Sequence, residues 1–340
     1  MKISVISFTK QGKNTAEKIE NALNYKEQIS TYFHPEGGVM KWTKEQFALN
    51  DALIFVGACG IAVRAIAPHI KDKLTDSAVI VIDEKGKFVI PVLSGHVGGA
   101  NELALHLSQI LDAEPVITTA TDVNHKFAVD VFARQNRFDI FNKNGIVKVS
   151  SKILRGEKIK ISIEKGKSQG TVPEEVDIIS YPPEEKADVV ISGEAEILKS
   201  AVLGLKPREY VLGVGCKEGK DKEELEHIIE NMLLKKNLNW NDIAVIASID
   251  KKKNEKGIVE LSCCKGIPFL TFSAEELLKS KGEFQSSDFV RQTVGVDNVC
   301  ERAAIAGCEG NGDLVVKKQI ENGKTLAIAK RQITINWKER

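Results

Sequence analysis

The sequence has no excess of charge of either sign. Its 340 residues include 48 Lys and Arg against 47 Asp and Glu, which leaves a formal net charge of +1. A chain so balanced has no general attraction to nucleic acid or to an anionic membrane surface. We therefore predict neither as a partner, and we expect any anionic ligand to be held by a local group of polar side chains.

Cysteine is sparse, and long apolar runs are missing. The six cysteines include no C-x-x-C pair, the spacing typical of zinc sites and redox dithiols, so we predict reduced thiols and no metal site. No stretch reaches 18 uninterrupted apolar residues, and the N-terminal run turns polar by Lys10, too early for a secretory segment. These absences predict a soluble, globular, cytoplasmic protein.

The sequence also lacks two common nucleotide-binding loops. In LGVGCKEG, the glycines at 213 and 215 are not followed by the third glycine of a dinucleotide fingerprint, and no G-x-x-x-x-G-K-[ST] motif occurs. We therefore predict no nucleotide cofactor. Gly215 and Lys217 of this loop remain candidates for contacting carboxylates of another ligand, with a solvated surface loop as the alternative.

Strand-like and helix-like segments alternate in two parts of the chain. Residues 1–122 read as βαβ units of a mostly parallel open sheet, with a hairpin turn at Gly86 near their end. Residues 123–207 have a weaker pattern and four of the nine prolines, and residues 208–340 restart the alternation. We predict an α/β fold with an N-terminal open-sheet domain, a small α+β middle domain with a linker, and a C-terminal α/β domain.

Three glycine-rich loops follow predicted strands, and ligands of open α/β sheets bind at the carboxyl ends of the strands. The first loop consists of Gly57, Ala58, Cys59 and Gly60. An apolar helix follows it, and a guanidinium buried there on Arg64 requires an anionic partner. That partner is either a ligand carboxylate or a protein carboxylate such as Asp76 or Glu102. For Cys59 a small buried thiol is favoured over a reactive thiolate.

The second loop lies in PVLSGHVGGANELA, before a helix whose apolar residues keep helical spacing as far as Leu111. His96 precedes this helix, and amides from 97 to 101 are expected to receive an oxyanion or carboxylate. The alternative for His96 is a tight turn in which it bonds a carbonyl. Ser94 lacks the G-x-S-x-G elbow, so a bonding or capping role is favoured. The candidate substrate contacts of this loop are Ser94, Gly95, Gly98, Gly99 and Asn101.

A further polar cluster, TTATDVNHKFAVD, follows the last predicted strand of the N-terminal domain. Thr119 and Asp122 are candidate ligand contacts in this stretch. Helix capping by Asp122 or Asn124 is the alternative.

Five motifs together resemble the cobalt-precorrin-5A hydrolase family of anaerobic cobalamin biosynthesis. They are GACGIAVRAIAPHIKDK, PVLSGHVGGANELA, TTATDVNHKFAVD, LGVGCKEG and VGVDNVCERAAI, and the resemblance covers nearly the whole chain. It implies a hydrolase that opens the δ-lactone of cobalt-precorrin-5A and releases acetaldehyde to give cobalt-precorrin-5B. The alternative is a non-catalytic protein that binds or hands over a corrinoid precursor.

The resemblance also implies partners and roles. The substrate is a cobalt-corrinoid small molecule that carries its own cobalt, so no cofactor is expected, and neighbouring pathway enzymes are further candidate partners. Glycine loops, helix N-termini and basic side chains suit a macrocycle fringed with carboxylates. We assign His96 as general base, Arg64 to orient a substrate carboxylate, and Glu102 either to orient His96 or to share in the proton transfer. Amides of the 95–101 and 57–60 loops would stabilise the oxyanion.

Overall fold

The structure is a computed structural model that describes residues 1–23, 27–217, 219 and 221–337. Its contacts divide the chain into two compact units, Met1–Val131 and Phe132–Arg340. The first unit therefore runs beyond residue 122, where the sequence places a domain boundary. In the described part of the chain no helix is both long and apolar enough to cross a membrane.

The first unit is a six-stranded sheet between two layers of helices. Its strands are β1 (Lys2–Ser7), β2 (Gln28–Phe33), β3 (Ala52–Val56), β4 (Ala78–Ile82), β5 (Phe88–Leu93) and β6 (Glu114–Pro115). Its helices are α1 (Lys10–Leu23), α2 (Gly38–Gln46), α3 (Cys59–Ile66), α4 (Ala100–Leu111) and α5 (Ala120–Val123), with a 3-10 turn at Ala67–His69; the next helix, α6 (Val129–Gln135), contains the unit boundary. The strand order is β2-β1-β3-β4-β5-β6.

Alternation along the buried strands divides the core of this unit between the two faces of the sheet. Ile54 and Val56 of β3 pack with the apolar faces of α1 and α4, whereas Leu53 and Phe55 pack with α2 and α3. Because both faces are covered, β3 and β4 are apolar at every position and fully buried. The predicted open, mostly parallel α/β sheet is confirmed.

One strand pair of this sheet departs from the parallel pattern. Strands β1 to β4 are parallel, but β5 returns antiparallel to β4, with Leu93 opposite Val79. The hairpin turn between them has Gly86 at φ 69°, as predicted. Strand β6 then runs parallel to β5. The chain that leaves β5 and β6 therefore emerges at the amino ends of the parallel strands.

The second unit contains two five-stranded sheets and a short ribbon. The first sheet, in the order β10-β8-β11-β12-β7, uses β7 (Phe138–Phe141), β8 (Ile159–Ile163), β10 (Val176–Ile179), β11 (Val189–Ile191) and β12 (Leu203–Pro207). Its helices are α7 (Gly145–Leu154) and α8 (Ala195–Ser200). The ribbon pairs β9 (Lys167–Gly170) with β18 (Thr334–Trp337).

The last sheet has the order β15-β14-β13-β17-β16. Its strands are β13 (Tyr210–Cys216), β14 (Ile243–Ile249), β15 (Phe269–Phe272), β16 (Gly312–Glu321) and β17 (Lys324–Arg331). Its helices are α9 (Lys222–Leu234), α10 (Lys256–Lys265), α11 (Ala274–Leu278), α12 (Asp288–Val294) and α13 (Cys300–Gly307), with 3-10 turns at Trp240–Asp242 and Asp250–Lys252. Strands β16 and β17 form an antiparallel closing hairpin, so the α/β class is confirmed here as well.

Gly213 in the centre of β13 allows α13 to pack directly on the sheet. A Cβ atom at this position would lie 1.8 Å from the carbonyl oxygen of Cys300 and 2.9 Å from the amide nitrogen of Ala304. Both are backbone atoms, so relief requires the helix and the strand to separate. We expect Gly213→Ala to lower the free energy of unfolding by about 1–3 kcal/mol, measured by denaturant titration.

Gly193→Ala in the same unit is the matched control. A Cβ at that position would meet no atom closer than Glu164 Oε2 at 3.6 Å, so we expect a change within about 0.5 kcal/mol. Equal stability of the two variants would contradict the close packing of α13 on β13.

Candidate active site

His96 is held between two carboxylates. Its Nε2 atom lies 2.8 Å from Asp122 Oδ2, and its Nδ1 atom lies 3.1 Å from Asp130 Oδ2. The hydroxyl of Thr121 is 3.1 Å from the same Nε2 atom. The side chain of His96 is 17% exposed and that of Asp130 only 8%, so the imidazole reaches solvent while Asp130 lies behind it.

The side chains around His96 come from a loop and two short helices at one end of the strands. His96 comes from the loop between β5 and α4, Thr121 and Asp122 from α5, and Asp130 from the first turn of α6. All of them belong to the first compact unit. Since β5 and β6 both point toward the amino ends of β3 and β4, the segments that follow them meet at that edge.

Asn101 fixes the carboxylate of Asp122. Its side-chain nitrogen donates to Asp122 Oδ2 at 2.8 Å and to Thr119 Oγ1 at 3.0 Å, and Asn101 itself is buried. Gly95 makes room for this amide, because a Cβ there would lie 2.6 Å from Asn101 Oδ1. The predicted candidates Asn101, Thr119, Asp122 and Gly95 are therefore brought together with His96.

The pKa of Asp130 is lowered from its ordinary value of 3.8. Burial on its own raises this pKa, but the hydrogen bond and charge of His96 and the backbone amide of Val131 lower it by more. Asp130 is therefore an ionised acceptor at neutral pH, and it favours a proton on His96 Nδ1.

Most of the backbone N–H groups before α4 that we expect to be free form hydrogen bonds within the loop. Gly99 N donates to the carbonyl of His96, Ala100 N to that of Ser94, and Asn101 N to that of Gly95. The prediction of free amides across 97–101 is wrong at these three positions, because the loop closes on its own carbonyl groups. Within the described residues, only the N–H groups of Val97 and Gly98 remain without a partner in this stretch.

Ser94 does not cap the helix. Its Oγ atom is buried and has no hydrogen-bond partner in the described part of the chain, and α4 has no side-chain cap. The residue adopts φ 55°, and a Cβ on Gly98 would lie 2.4 Å from Ser94 Cβ. The predicted bonding or capping role is therefore wrong, and Ser94 and Gly98 instead pack closely within the loop. Gly99 supplies the left-handed residue, at φ 81°, that precedes the helix.

The 57–60 loop lies at the opposite edge of the same sheet. It follows the carboxyl end of β3, and Gly57 N donates to the carbonyl of Ile82, the last residue of β4. The length of strand β4, five residues at about 3.3 Å per residue or about 16 Å, separates this loop from the His96 loop. The prediction that both loops line one crevice is wrong, because β5 reverses direction.

Arg64 and Cys59 are exposed, which corrects two predictions. Helix α3 buries only Ala62, Ala65 and Ile66, so one side of it faces solvent. The guanidinium of Arg64 donates to the carbonyl of Gly60 at 3.2 Å, and the ion pairs given for the described residues include none of Arg64 with Asp76 or Glu102. Ala58 is the N-cap residue of α3, but its side chain makes no capping bond.

Two other predicted contacts lie elsewhere. Glu102 is exposed in the first turn of α4, and the hydrogen bonds of the His96 imidazole go instead to Asp122, Asp130 and Thr121. Gly215 and Lys217 belong to the second unit, at the end of β13, where Lys217 is exposed and its N–H donates to the carbonyl of Gly323.

Sequence reasoning missed Thr121 and Asp130 as members of the site. Both lie in the quoted stretch TTATDVNHKFAVD, where Asp130 reads as an acidic residue in the first turn of a helix, a common and unspecific position. Among the described residues, no group of three or more His, Cys, Asp or Glu side chains is arranged to hold a metal ion.

An open α/β sheet that presents a histidine between two carboxylates beside a glycine-rich loop has the groups that an enzyme needs for proton transfer. Family models described as "Cobalamin synthesis G N-terminal" and "Cobalamin synthesis G C-terminus" match residues 41–122 and 210–329. The chain belongs to the cobalt-precorrin-5A hydrolase family, as its five sequence motifs predict.

The chain is similar over most of its length to individual proteins of cobalamin biosynthesis. The cobalt-precorrin-5A hydrolase of Salmonella typhimurium is 36% identical over 304 residues, covering 86% of each chain. That of Priestia megaterium is 33% identical over 309 residues, covering 86% of this chain and 82% of that protein. A solved structure of a cobalamin biosynthesis protein G homolog from Sulfolobus solfataricus is 26% identical, covers 97% of both chains and has a TM-score of 0.45.

Proposed function

We propose that this protein hydrolyses the δ-lactone of cobalt-precorrin-5A and releases acetaldehyde, giving cobalt-precorrin-5B in anaerobic cobalamin biosynthesis. The relatives named for this reaction support the substrate and the reaction class. The observation that carries the chemistry is the imidazole of His96 between Asp122 and Asp130. The cobalt belongs to the substrate, and the proposal requires no cofactor of the protein's own.

Asp130 sets the direction of proton transfer. With its ionised carboxylate 3.1 Å from Nδ1, it keeps the proton on that nitrogen and orients the ring. The protonation state that changes during the reaction is then that of Nε2, which faces Asp122 and Thr121. Asp130 is in this account a positioning residue.

His96 Nε2 and Asp122 act as a pair that shares one proton. When the pair has lost that proton, it takes a proton from the water that attacks the lactone carbonyl. When the pair holds the proton, it delivers it to the ring oxygen that leaves as the lactone opens. Asn101 keeps Asp122 in place throughout, because its amide donates to the same Oδ2 atom that faces the imidazole.

The N–H groups of Val97 and Gly98 are the donors that we assign to the developing oxyanion. They belong to the two successive peptide units that flank the Cα atom of Val97, next to His96, and the loop does not use them. Each donor of this kind contributes about 3 kcal/mol to stabilising the transition state. This role replaces the larger amide cradle that the sequence predicts.

We assign the loss of the two-carbon fragment to the same His96–Asp122 pair. Opening of the lactone leaves a secondary alcohol on the macrocycle, and removal of its hydroxyl proton by the His96–Asp122 pair allows the adjacent carbon–carbon bond to break. The bonding electrons pass into the conjugated macrocycle, and acetaldehyde departs. A proton then returns to the ring carbon, so atoms and charge balance.

We propose that the other residues predicted from the sequence bind the substrate and take no part in the proton transfers. Arg64 and the Gly57–Gly60 loop are assigned to contact peripheral groups of the substrate from the carboxyl edge of the sheet, and Gly215 and Lys217 to contact its carboxylates. The orienting role predicted for Glu102 passes to Asp130, which contacts the imidazole directly.

Purified full-length protein tests the function directly. Incubation with cobalt-precorrin-5A is expected to release one acetaldehyde for each macrocycle consumed, measured with alcohol dehydrogenase and NADH. The opened product would be followed by mass spectrometry. Binding of the macrocycle without acetaldehyde release would replace the enzymatic proposal with a hand-over role.

A further inference from the structure

A small polar cavity in the second unit carries an excess of positive charge. It has a volume of about 50 Å³ and is lined by residues of α6, α13 and the segment after β17, together with Arg137 and Arg331. A water molecule needs only about 10–15 Å³ by this measure, so the cavity has room for a small polyatomic ion but not for a macrocycle.

Arg331 is partly buried there, and no ion pair among the described residues joins its guanidinium to a carboxylate. Its guanidinium donates from Nε to the carbonyl of Arg208 and from Nη2 to the carbonyl of Asn136, both at 2.9 Å. Burial and the neighbouring charge of Arg137 lower the pKa of Arg331 to about 10, so it remains a cation at neutral pH. Neutral carbonyl groups solvate this cation, but they do not cancel its charge.

The other groups that line the cavity do not neutralise it. Burial raises the pKa of the Cys308 thiol to about 12, so this group is uncharged at neutral pH. Glu309 is the one acidic residue that lines the cavity, and it is within 4.0 Å of neither guanidinium among the ion pairs of the described residues. The charge of Glu209 also acts on Arg331, but this carboxylate already pairs with Lys165 at 2.7 Å and with Lys330 at 3.0 Å. The two guanidinium groups therefore exceed the one lining carboxylate by one positive charge, and a partly buried excess charge of this kind is costly without a counter-ion.

We propose that this cavity binds one small oxyanion between Arg137 and Arg331. Guanidinium groups recognise the flat edge of a carboxylate, and the face of a phosphate, through paired hydrogen bonds. The free donors for such bonds belong to Arg137 and to the remaining N–H groups of Arg331. The site does not depend on the reaction proposed for the first unit.

Isothermal titration of the full chain with inorganic phosphate, and separately with acetate, tests the proposal at constant ionic strength. We expect one saturable site per chain for at least one of the two probes, and the tighter probe identifies a phosphoryl or a carboxylate ligand. Arg137→Gln is expected to weaken that binding at least tenfold, which is about 1.4 kcal/mol. Arg331 is left intact because its bonds to the carbonyls of Arg208 and Asn136 also hold the fold.

Arg155→Gln is the matched control, since Arg155 is an exposed arginine of the same unit that pairs with Glu157. It should bind the probe as the parent chain does. The proposal is overturned if neither probe binds saturably, or if Arg137→Gln and Arg155→Gln bind with the same affinity.

Discussion

Replacing His96 by alanine is expected to slow acetaldehyde release by about 10²–10⁴-fold, the contribution usual for a positioned acid–base group. The variant removes the imidazole that contacts Asp122 and Asp130, while Asp122 keeps its hydrogen bond from Asn101. Substrate binding should change little, because we assign the contacts that hold the substrate to other groups. The measurement is kcat for acetaldehyde release, with binding followed separately through the absorbance of the corrinoid.

His106→Ala is the matched control for this experiment. His106 lies on the same helix that follows the His96 loop, and its side chain is exposed on the outer face of α4. Its removal should leave kcat within about twofold, since surface substitutions of this kind change little. Full activity of His96→Ala would show that this residue takes no part in the chemistry. The catalytic groups would then have to lie elsewhere, such as in the loop at the carboxyl ends of the parallel strands.

Much of the local structure around His96 was predictable from the sequence. The helical spacing that ends at Leu111 corresponds to α4, and Gly86 has the positive φ expected of the hairpin turn. Each of these depends on residues within a few positions of one another, where periodicity and turn chemistry decide the outcome.

The relative position of the two glycine-rich loops was not predictable in the same way. It depends on the direction of β5, and the hairpin at Gly86 already implies that β5 is antiparallel to β4. An antiparallel strand delivers its following loop to the opposite edge of the sheet, so the rule about carboxyl ends of parallel strands does not apply to the His96 loop. The hairpin turn at Gly86 is therefore the sequence feature that predicts the position of the His96 loop, and the glycine content of the loop does not predict it.

Two further features were not predicted correctly: the solvent exposure of side chains on α3, and the contact between residues that lie far apart in the sequence. The apolar composition of α3 suggested burial on all sides, yet Arg64 and Cys59 are exposed because only one side of this short helix contacts the sheet. Asp130 is 34 positions from His96, and no local pattern marks the pair. Contacts at such separations are fixed by topology, which composition and periodicity do not specify.

Asp130→Asn is expected to lower kcat by about 10²-fold, because the proton on His96 would move to the wrong nitrogen. The ionised carboxylate of Asp130 accepts from Nδ1–H, whereas the amide of asparagine can donate to Nδ1 and so place the proton on Nε2. That proton would face Asp122, and the pair could no longer accept one from water. The measurement is kcat across the pH range in which the wild-type chain stays folded.

The shape of the pH profile separates this positioning role from simple loss of stability. Asp130 interacts with His96 through a hydrogen bond and through charge, so removal of this carboxylate is expected to move the acid limb of kcat, whereas a loss of packing alone would leave the limb in place. Asp83→Asn is the control, because Asp83 is an aspartate of the same unit in the hairpin turn after β4, at the opposite end of the strands from His96, where its carboxylate accepts from the amides of Lys87 and Phe88. Its acid limb should coincide with that of the wild type. An unmoved limb in Asp130→Asn, with the folded fraction intact, would show that Asp130 only supports the packing of α6.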